Sequence, residues 1–335
     1  MTNLVSGMRP TGKLHLGHYL GVLRNWIDLQ NSQKYNCFFF IADWHSLTTK
    51  YEDTSELKNN ILEITRDFLA SGLNPEKSTI YIQSAIPEIA ELHLLLSMIT
   101  PNNWAERDPT LKDLVKAAAG GDEAKEANIS LTYGMLGYPI LQTADILTFK
   151  GALVPVGKDQ EAHLEMSREI ARRFNYIFDC EFFAEPKPLF TDTPLVHGID
   201  GRKMSKSWNN DIKISATEEE TMVQVKKMIT DTQRIKRSDP GDVERCLVPF
   251  PYYKVFANEE IIAQVKQECE TASRGCIDCK KQLAEIINLY FKPIRERRAN
   301  FSDEQIKDIL KNGNQKARLV AQNTLKELKN IMKLY

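Results

Sequence analysis

Strand-like runs and helix-like periods alternate along the first 200 residues, and this alternation limits the possible folds more than any other feature. The runs are short and apolar, and they lie at Leu4–Ser6, Phe38–Ala42, Ile80–Ile82 and Leu153–Val156. Each run is too short for a helix and fits a buried parallel strand. Between the runs, leucine and isoleucine recur at steps of three and four residues, as in helices that cover a sheet. We therefore predict an α/β fold, a Rossmann-like, doubly wound parallel sheet with helices on both faces.

The pattern changes after residue 208. Residues 218–230, 259–271 and 280–298 are rich in charge and in helix-forming residues, and a capping box begins at Ser302. We predict a Rossmann-like domain over 1–208, with a polar insertion around 86–130, and an α-helical domain over 209–335. The loop at 200–211, which contains a glycine and paired asparagines, is the expected boundary.

Charge and hydropathy exclude several classes of protein. The 335 residues include 44 Lys and Arg against 45 Asp and Glu, a balance unlike that of a histone-like or membrane-coating polycation. A nucleic-acid partner stays possible, because local charge decides such binding. Apolar stretches such as 37–42 and 92–99 are far shorter than the roughly 18 residues of a membrane span. Without a secretory pattern in the first ten residues, we expect a cytoplasmic protein with no membrane partner.

Two motifs point to nucleotide chemistry. The first strand runs into a glycine-containing turn, and His15-Leu16-Gly17-His18 then begins a helix. Exposed amides and the helix dipole attract anions there, and Gly17 permits close approach of a nucleotide. The second motif is Lys203-Met204-Ser205-Lys206-Ser207, which taken alone is also compatible with a solvated basic loop.

Together these motifs resemble those of class I aminoacyl-tRNA synthetases. Residues 134–147, with the sequence GMLGYPILQTADIL, and 154–160, with the sequence VPVGKDQ, are similar to tryptophanyl-tRNA synthetases, and the resemblance covers essentially the whole chain. It implies an enzyme that activates L-tryptophan with ATP and Mg²⁺ to tryptophanyl-adenylate, releasing diphosphate. Transfer of tryptophan to tRNA(Trp) then releases AMP. The resemblance also implies a homodimer, with 86–130 at its interface, and anticodon recognition by the helical domain.

The same resemblance assigns roles to individual residues. The expected catalytic residues are His15, His18, Lys203 and Lys206. The expected ATP-binding residues are Arg9, Pro10, Thr11, Gly17, His18, Gly157, Lys158, Asp159, Lys203, Met204, Ser205, Lys206 and Ser207. Asp145 is expected to accept the indole N–H of tryptophan, and Tyr138, Gln160 and His45 to complete the tryptophan site.

Four of the six cysteines gather in the spacing C-x22-C-x6-C-x2-C. In a reducing compartment such a group, Cys246, Cys269, Cys276 and Cys279, indicates a metal or an iron–sulfur cluster, although small core residues would also explain it. The spacing resembles that of bacterial tryptophanyl-tRNA synthetases that hold a [4Fe–4S] cluster near the anticodon; Zn²⁺ at the same thiols is the alternative. Nearby cations, Arg234, Lys236, Arg237 and Arg274, are candidates for contacts with tRNA phosphates.

Three other functions compete with this interpretation. A tyrosyl-tRNA synthetase shares the fold and both motifs, but Asp145 in the Thr-Ala-Asp-Ile-Leu run argues against it. A small-molecule adenylyltransferase also uses His-x-Gly-His, but it has no need of residues 203–207 or of a long helical domain. An iron–sulfur regulatory protein with an inactive synthetase core would not need to keep both histidines and both lysines.

Overall fold

The structure is a computed structural model that describes residues 1–119, 126, 129–151, 153–156, 161–190 and 196–335. Within this part of the chain a parallel sheet has the strand order β3-β2-β1-β4-β5. The strands are β1 (Thr2–Met8), β2 (Tyr35–Ile41), β3 (Ser78–Ile82), β4 (Leu153–Val156) and β5 (Lys187–Phe190). The order reverses between β1 and β4, where ligands of such sheets bind. The predicted α/β parallel fold is confirmed.

Helices follow and separate the strands. In the first two-thirds of the chain they are α1 (Leu16–His18), α2 (Arg24–Ser32), α3 (Asp43–Lys50), α4 (Leu57–Ser71), α5 (Pro87–Ile99), α6 (Asn102–Arg107), α7 (Pro109–Ala118), α8 (Tyr133–Leu136), α9 (Tyr138–Thr148) and α10 (Glu161–Ile177). A π-helical segment, Tyr19–Leu23, joins α1 to α2. The remaining helices are α11 (Glu218–Lys226), α12 (Pro249–Phe256), α13 (Glu259–Glu270), α14 (Cys276–Ala299) and α15 (Asp303–Met332).

Three consecutive phenylalanines in β2 explain why both faces of the sheet are covered. Side chains alternate between the faces of a strand, so neighbours point in opposite directions. The Phe39 ring stacks on Trp26 of α2, with 4.6 Å between ring centroids. The Phe38 ring instead stacks on Phe149, just after α9, at 4.8 Å. A continuous apolar run therefore indicates a strand buried on both faces, as the sequence predicts.

The chain divides into two compact units. The first contains residues 1–12, 26–192 and 302–335, and the second contains residues 13–25 and 193–301. This division differs from the predicted boundary between residues 208 and 209. Helix α15 belongs to the first unit because it packs directly on β3: a Cβ at Gly313 would overlap the carbonyl oxygen of Ile80. Such a tertiary contact leaves no trace in local sequence periodicity.

The second unit joins a short early segment to the later helices. The Leu16 amide donates to the Ile212 carbonyl at 2.9 Å, and the Ile214 amide donates to the Leu14 carbonyl at 3.0 Å.

The predicted helices are present, and the capping box of Ser302 with Gln305 at the start of α15 is confirmed. In the described ranges, no helix combines the length and the apolar composition required to cross a membrane.

Candidate active site

A buried carboxylate, Asp145 on α9, lies at the centre of a polar network in the first unit. The Asp145 Oδ2 atom lies 2.7 Å from His45 Nε2. The Gln83 side-chain amide donates to both carboxylate oxygens, at 2.8 Å and 2.9 Å. Burial raises the pKa of Asp145, and the hydrogen bonds from His45 and Gln83 oppose this shift because they favour the ionised form.

Two other predicted tryptophan-site residues adjoin this carboxylate, and one cannot be placed. The ring of Tyr138, at the start of α9, lies 4.2 Å from the His45 ring, measured between centroids. Burial raises the pKa of the Tyr138 hydroxyl, and the positive charge of Arg9 acts in the opposite direction. Arg9 therefore lies within electrostatic range of this pocket. Gln160 lies outside the described residues.

Two members of the network were missed by sequence reasoning. Gln83, which bonds Asp145, follows the last residue of β3 directly. Tyr81 on β3 is completely buried, and among the described residues its hydroxyl has no hydrogen-bond partner. Burial together with the Asp145 charge raises the pKa of this hydroxyl. The rule that ligands bind at the carboxyl ends of parallel strands would have pointed to Gln83.

A cleft of about 720 Å³ opens in the same unit. It is lined by Pro10 and Thr11, which follow β1, and by Ser46 of α3, next to His45. Met135 of α8 forms part of another wall. The structure thus places two of the predicted ATP-binding residues at a solvent-accessible cavity beyond the carboxyl end of β1. That location agrees with the expected position of a ligand in a doubly wound sheet.

In the second unit, His15 and His18 cap the same helix end reciprocally. The His18 amide donates to His15 Nδ1 at 3.3 Å, and the His15 amide donates to His18 Nδ1 at 3.4 Å. The ring centroids are 3.7 Å apart. Because both Nδ1 atoms accept, this network assigns the proton of each neutral ring to Nε2. Burial, reinforced by the positive charge of Lys206, lowers the pKa of His15 to about 3.

The lysine-containing loop lies against this helix end. The Gly17 amide contacts the sulfur of Met204 at 3.4 Å, and Met204 itself is buried. Lys206 is close enough to His15 to lower the histidine pKa. The two motifs, separated by almost 190 residues in sequence, are therefore adjacent within one unit. Residues 206–208 form a 3₁₀ turn, which includes the backbone of Ser207.

One buried side chain, Asn210, holds the loop in shape. Its oxygen accepts from the Ser205 amide at 2.7 Å, and its nitrogen donates to Asp200 at 2.8 Å and to the Lys203 carbonyl at 3.2 Å. Asn210 is a functional candidate that the sequence did not reveal, since a paired asparagine was interpreted only as a turn. The predicted ATP-binding residues Gly157, Lys158 and Asp159 lie outside the described residues.

The four clustered cysteines share one neighbourhood in the second unit. Arg234 Nη1 lies 3.9 Å from the Cys269 sulfur and 4.0 Å from the Cys276 sulfur. Burial raises the pKa of Cys246, and the charges of Cys269 and Cys276 raise it further. Burial also raises the pKa of Cys279, to about 12, with a smaller contribution from Cys246. Cys246 therefore lies within electrostatic range of the other three thiols.

The predicted metal site is not present as a coordination shell. Among the residues that the structure describes, no group of three or more His, Cys, Asp or Glu side chains is arranged to hold a metal ion. The thiols are gathered, and the Arg234 guanidinium lies beside two of them.

Two of the four predicted phosphate-binding cations, Arg234 and Arg274, bind acceptor groups within the protein. Arg274 is only 11% exposed and pairs with Glu268 at 2.5 Å. Arg234 donates through Nη2 to the carbonyls of Arg237 and Arg274, both at 2.8 Å. These arginines are used inside the protein because their several N–H groups satisfy neighbouring acceptors. Arg237 has a 77% exposed side chain, and Lys236 is exposed as well.

Comparison with known proteins identifies the family of this chain. Residues 1–292 match the model of the family described as tRNA synthetases class I (W and Y). A tryptophan–tRNA ligase of Thermotoga maritima is 46% identical, with 99% of both chains covered, and one of Aquifex aeolicus is 42% identical, also over 99% of both. The crystal structure of tryptophanyl-tRNA synthetase from Campylobacter jejuni complexed with ADP and tryptophan superposes with a TM-score of 0.88 at 34% identity. The aligned region covers 99% of this chain and 100% of the Campylobacter jejuni chain.

Proposed function

Since this chain belongs to the class I tRNA synthetases, we propose that it is a tryptophan–tRNA ligase that acts in two steps. In the first, a carboxylate oxygen of L-tryptophan attacks the α-phosphorus of ATP, and the bond to the β-phosphate breaks to release diphosphate. In the second, a ribose hydroxyl of tRNA(Trp) attacks the carbonyl of tryptophanyl-adenylate, loses its proton and displaces AMP. The tryptophan carboxylate is already ionised at neutral pH, so the first step requires no general base.

The observation that best supports tryptophan as the substrate is the number of hydrogen bonds that Asp145 accepts. A carboxylate offers about four lone-pair sites. Gln83 uses one on each oxygen, and His45 uses a second on Oδ2. One site on Oδ1 is left for an indole N–H. A phenyl ring would leave this one lone-pair site without a donor, and loss of one charge-assisted hydrogen bond to a buried carboxylate discriminates against the ring by about ten- to hundredfold.

In the nucleotide site, His15 and His18 act as neutral donors. Their Nδ1 atoms are engaged by backbone amides, so the Nε2–H groups are the ones that can reach phosphate oxygens. Burial, with a smaller contribution from the charge of Lys206, lowers the pKa of His15 and keeps its ring neutral. Lys203 and Lys206 then stabilise the negative charge that develops on the diphosphate as it leaves. ATP carries Mg²⁺ as its counter-ion, which neutralises phosphate charge without needing a dedicated cage of protein carboxylates.

Charging of a tRNA(Trp) transcript is the direct test of this function. Purified protein should attach radiolabelled tryptophan to the transcript when ATP and Mg²⁺ are present. A matched transcript with an altered anticodon serves as the control for tRNA selection. Failure to charge the transcript with tryptophan, under conditions where the protein stays folded, would contradict the proposal.

We also propose that Cys246, Cys269, Cys276 and Cys279 bind a [4Fe–4S] cluster, with Zn²⁺ as the alternative. Four thiols are the ligand set that both groups take. When bound, the group supplies a cross-link between α13, α14 and the turn before α12. The Arg234 guanidinium beside two of the thiols would offset negative charge on the sulfurs.

The test of the cluster is chemical analysis of protein purified without oxygen. About four irons and four sulfides per chain are expected. Cys279→Ser should remove them and weaken tRNA affinity while tryptophan activation is retained. Cys180→Ser is the matched control, because this cysteine lies outside the cluster. Stoichiometric zinc in place of iron would show that the site binds Zn²⁺ and not a cluster. Absence of both iron and zinc would refute the metal site.

Recognition of tRNA is proposed for the second unit. Lys236 and Arg237 are exposed near the cysteines, and each phosphate contact makes binding more sensitive to salt. Lys236→Gln and Arg237→Gln should each reduce the slope of log affinity against log salt by about one. Unchanged slopes in both variants would exclude these contacts. The cytoplasmic location stays a prediction.

A homodimer is proposed through the face formed by α5 and the start of α8. Met98 is 70% exposed and Tyr133 is 69% exposed, and Leu94 lies exposed on the same helix as Met98. Large exposed apolar patches are typical of protein interfaces. Light scattering should give the mass of a dimer for the wild-type protein, and Met98→Glu should shift it toward the monomer. A monomeric wild-type protein would contradict this proposal.

A further inference from the structure

A second cavity lies in the first unit, on the side of β3 that α15 covers. Its volume is about 530 Å³. Its floor is apolar and is formed by side chains of α4, of the end of β3 and of α15: Ile61, Leu62, Ile82, Ala85 and Leu310. None of these residues belongs to the tryptophan or nucleotide sites described above.

The rim of this cavity is positively charged. Its charged lining residues are Lys58, Lys307, Lys311 and Arg318, and its other polar lining residues are Asn314 and Gln315. Arg318 pairs with Glu88 at 3.0 Å. Within the described residues, the three lysines have no carboxylate within 4.0 Å, and no acidic residue lines the cavity. Lys307 and Lys311 are four residues apart on one helix, an arrangement of like charges that is unfavourable without an anion.

The walls of the cavity are fixed by packing. The Asn314 side chain accepts the Ile82 amide at 2.9 Å. The absence of a side chain at Gly313 allows α15 to touch the backbone of β3. At the other end, Arg66 of α4 pairs with Asp303 of α15. Because these contacts hold both helices in place, the cavity is formed before any ligand arrives.

We propose that this cavity binds a small amphipathic anion, a medium-chain acyl or aryl carboxylate. Its volume falls in the range of small-molecule pockets, about 300–1,000 Å³. The apolar floor takes the hydrocarbon body, and the lysines bind the carboxylate at the rim. A protein partner would need an interface of more than about 1,000 Å², far more surface than this cavity offers.

The test uses 1-anilinonaphthalene-8-sulfonate, an aromatic anion that fluoresces when bound to an apolar site. Full-length protein, with its active site saturated by tryptophan and a non-hydrolysable ATP analogue, should bind one equivalent, and decanoate should displace it. The neutral analogue N-phenyl-1-naphthylamine reports on the apolar floor alone. Replacing Lys307 and Lys311 together by Glu should weaken binding of the anion by about tenfold or more, with little effect on the neutral probe.

Lys316→Glu is the matched control, because Lys316 is exposed on the same helix but does not line the cavity. It should leave the affinity for the anion unchanged. Tryptophan-dependent exchange and the far-ultraviolet circular dichroism of the double variant check that the fold is intact. The proposal is overturned by absence of saturable binding to the wild-type protein, by equal losses in the double variant and the control, or by failure of decanoate to compete.

Discussion

Replacing Asp145 by Asn tests the role of the buried carboxylate without changing its shape. The amide oxygen, placed where Oδ2 was, can still accept from His45 and Gln83. The amide nitrogen would then face a Gln83 N–H and the indole N–H, which are both donors. Loss of one charge-assisted hydrogen bond should weaken tryptophan binding by about 1.5–3 kcal/mol, a ten- to hundredfold rise in Kd.

Calorimetric titration with two ligands isolates this interaction. The second ligand, 3-benzothienyl-L-alanine, has sulfur in place of the indole N–H. Wild-type protein should prefer tryptophan over this analogue by about the same ten- to hundredfold factor, and Asp145→Asn should lose the preference. If the variant still discriminates as strongly as the wild type, another group accepts the indole N–H and the assignment of Asp145 is wrong.

Three further changes test other parts of the molecule. Lys206→Ala should slow adenylate formation far more than it weakens tryptophan binding, because charge develops only in the transition state; presteady-state kinetics and equilibrium titration separate the two. Because the pKa of His15 is lowered in the folded protein, the unfolded state binds more protons below pH 6.5. The free energy of unfolding therefore decreases as the pH is lowered below 6.5. Denaturant titrations at pH 6.5 and at pH 5 give the free energy of unfolding. On going from pH 6.5 to pH 5, His15→Asn should lose about 2 kcal/mol less of this free energy than the wild type does. Gly313→Ala should destabilise the fold by about 1–3 kcal/mol through overlap with Ile80. Gly21→Ala should not, because a Cβ there meets no atom of the described residues within 4 Å.

The strands that were predicted from sequence are those with continuous apolar runs. Phe38–Phe40 are buried from both sides of the sheet, so every position in the run is apolar. Strand β5 was missed because it is an edge strand, with Lys187 and Phe190 exposed and a proline between them. An edge strand needs neither an apolar run nor a full set of amide donors, so its sequence carries little signal.

The candidate site was predicted where motifs supply it and missed where packing does. His15, His18, Lys203 and Lys206 stand in recognisable patterns, and the structure brings the two motifs together within one unit. Gln83 has no motif, and its role depends on the distance to Asp145, 62 residues away. The sequence predicts two domains separated by a single boundary. In the structure, each unit is instead assembled from segments that are distant in sequence.

The contact of α15 with β3 also depends on packing between segments that are distant in sequence. Gly313 is an unremarkable glycine in a helical pattern, and only the approach to Ile80 explains it. The direction in which Arg234 and Arg274 point is likewise set by carbonyl and carboxylate acceptors that come from other parts of the chain. Sequence reasoning identified these residues as cations but did not show which of them face solvent.

Amino-acid-dependent exchange between ATP and radiolabelled diphosphate measures whether this protein activates tryptophan. The assay reports reversible adenylate formation and needs no tRNA, so it isolates the chemistry assigned to Asp145, His15, His18 and the lysine loop. Each of the twenty amino acids is supplied separately with ATP and Mg²⁺. Tryptophan should support rapid exchange, and tyrosine and phenylalanine should support at most a trace, because neither ring offers an indole N–H. Equal exchange with tyrosine, or no exchange with tryptophan, would show that the protein is not a tryptophan-specific ligase.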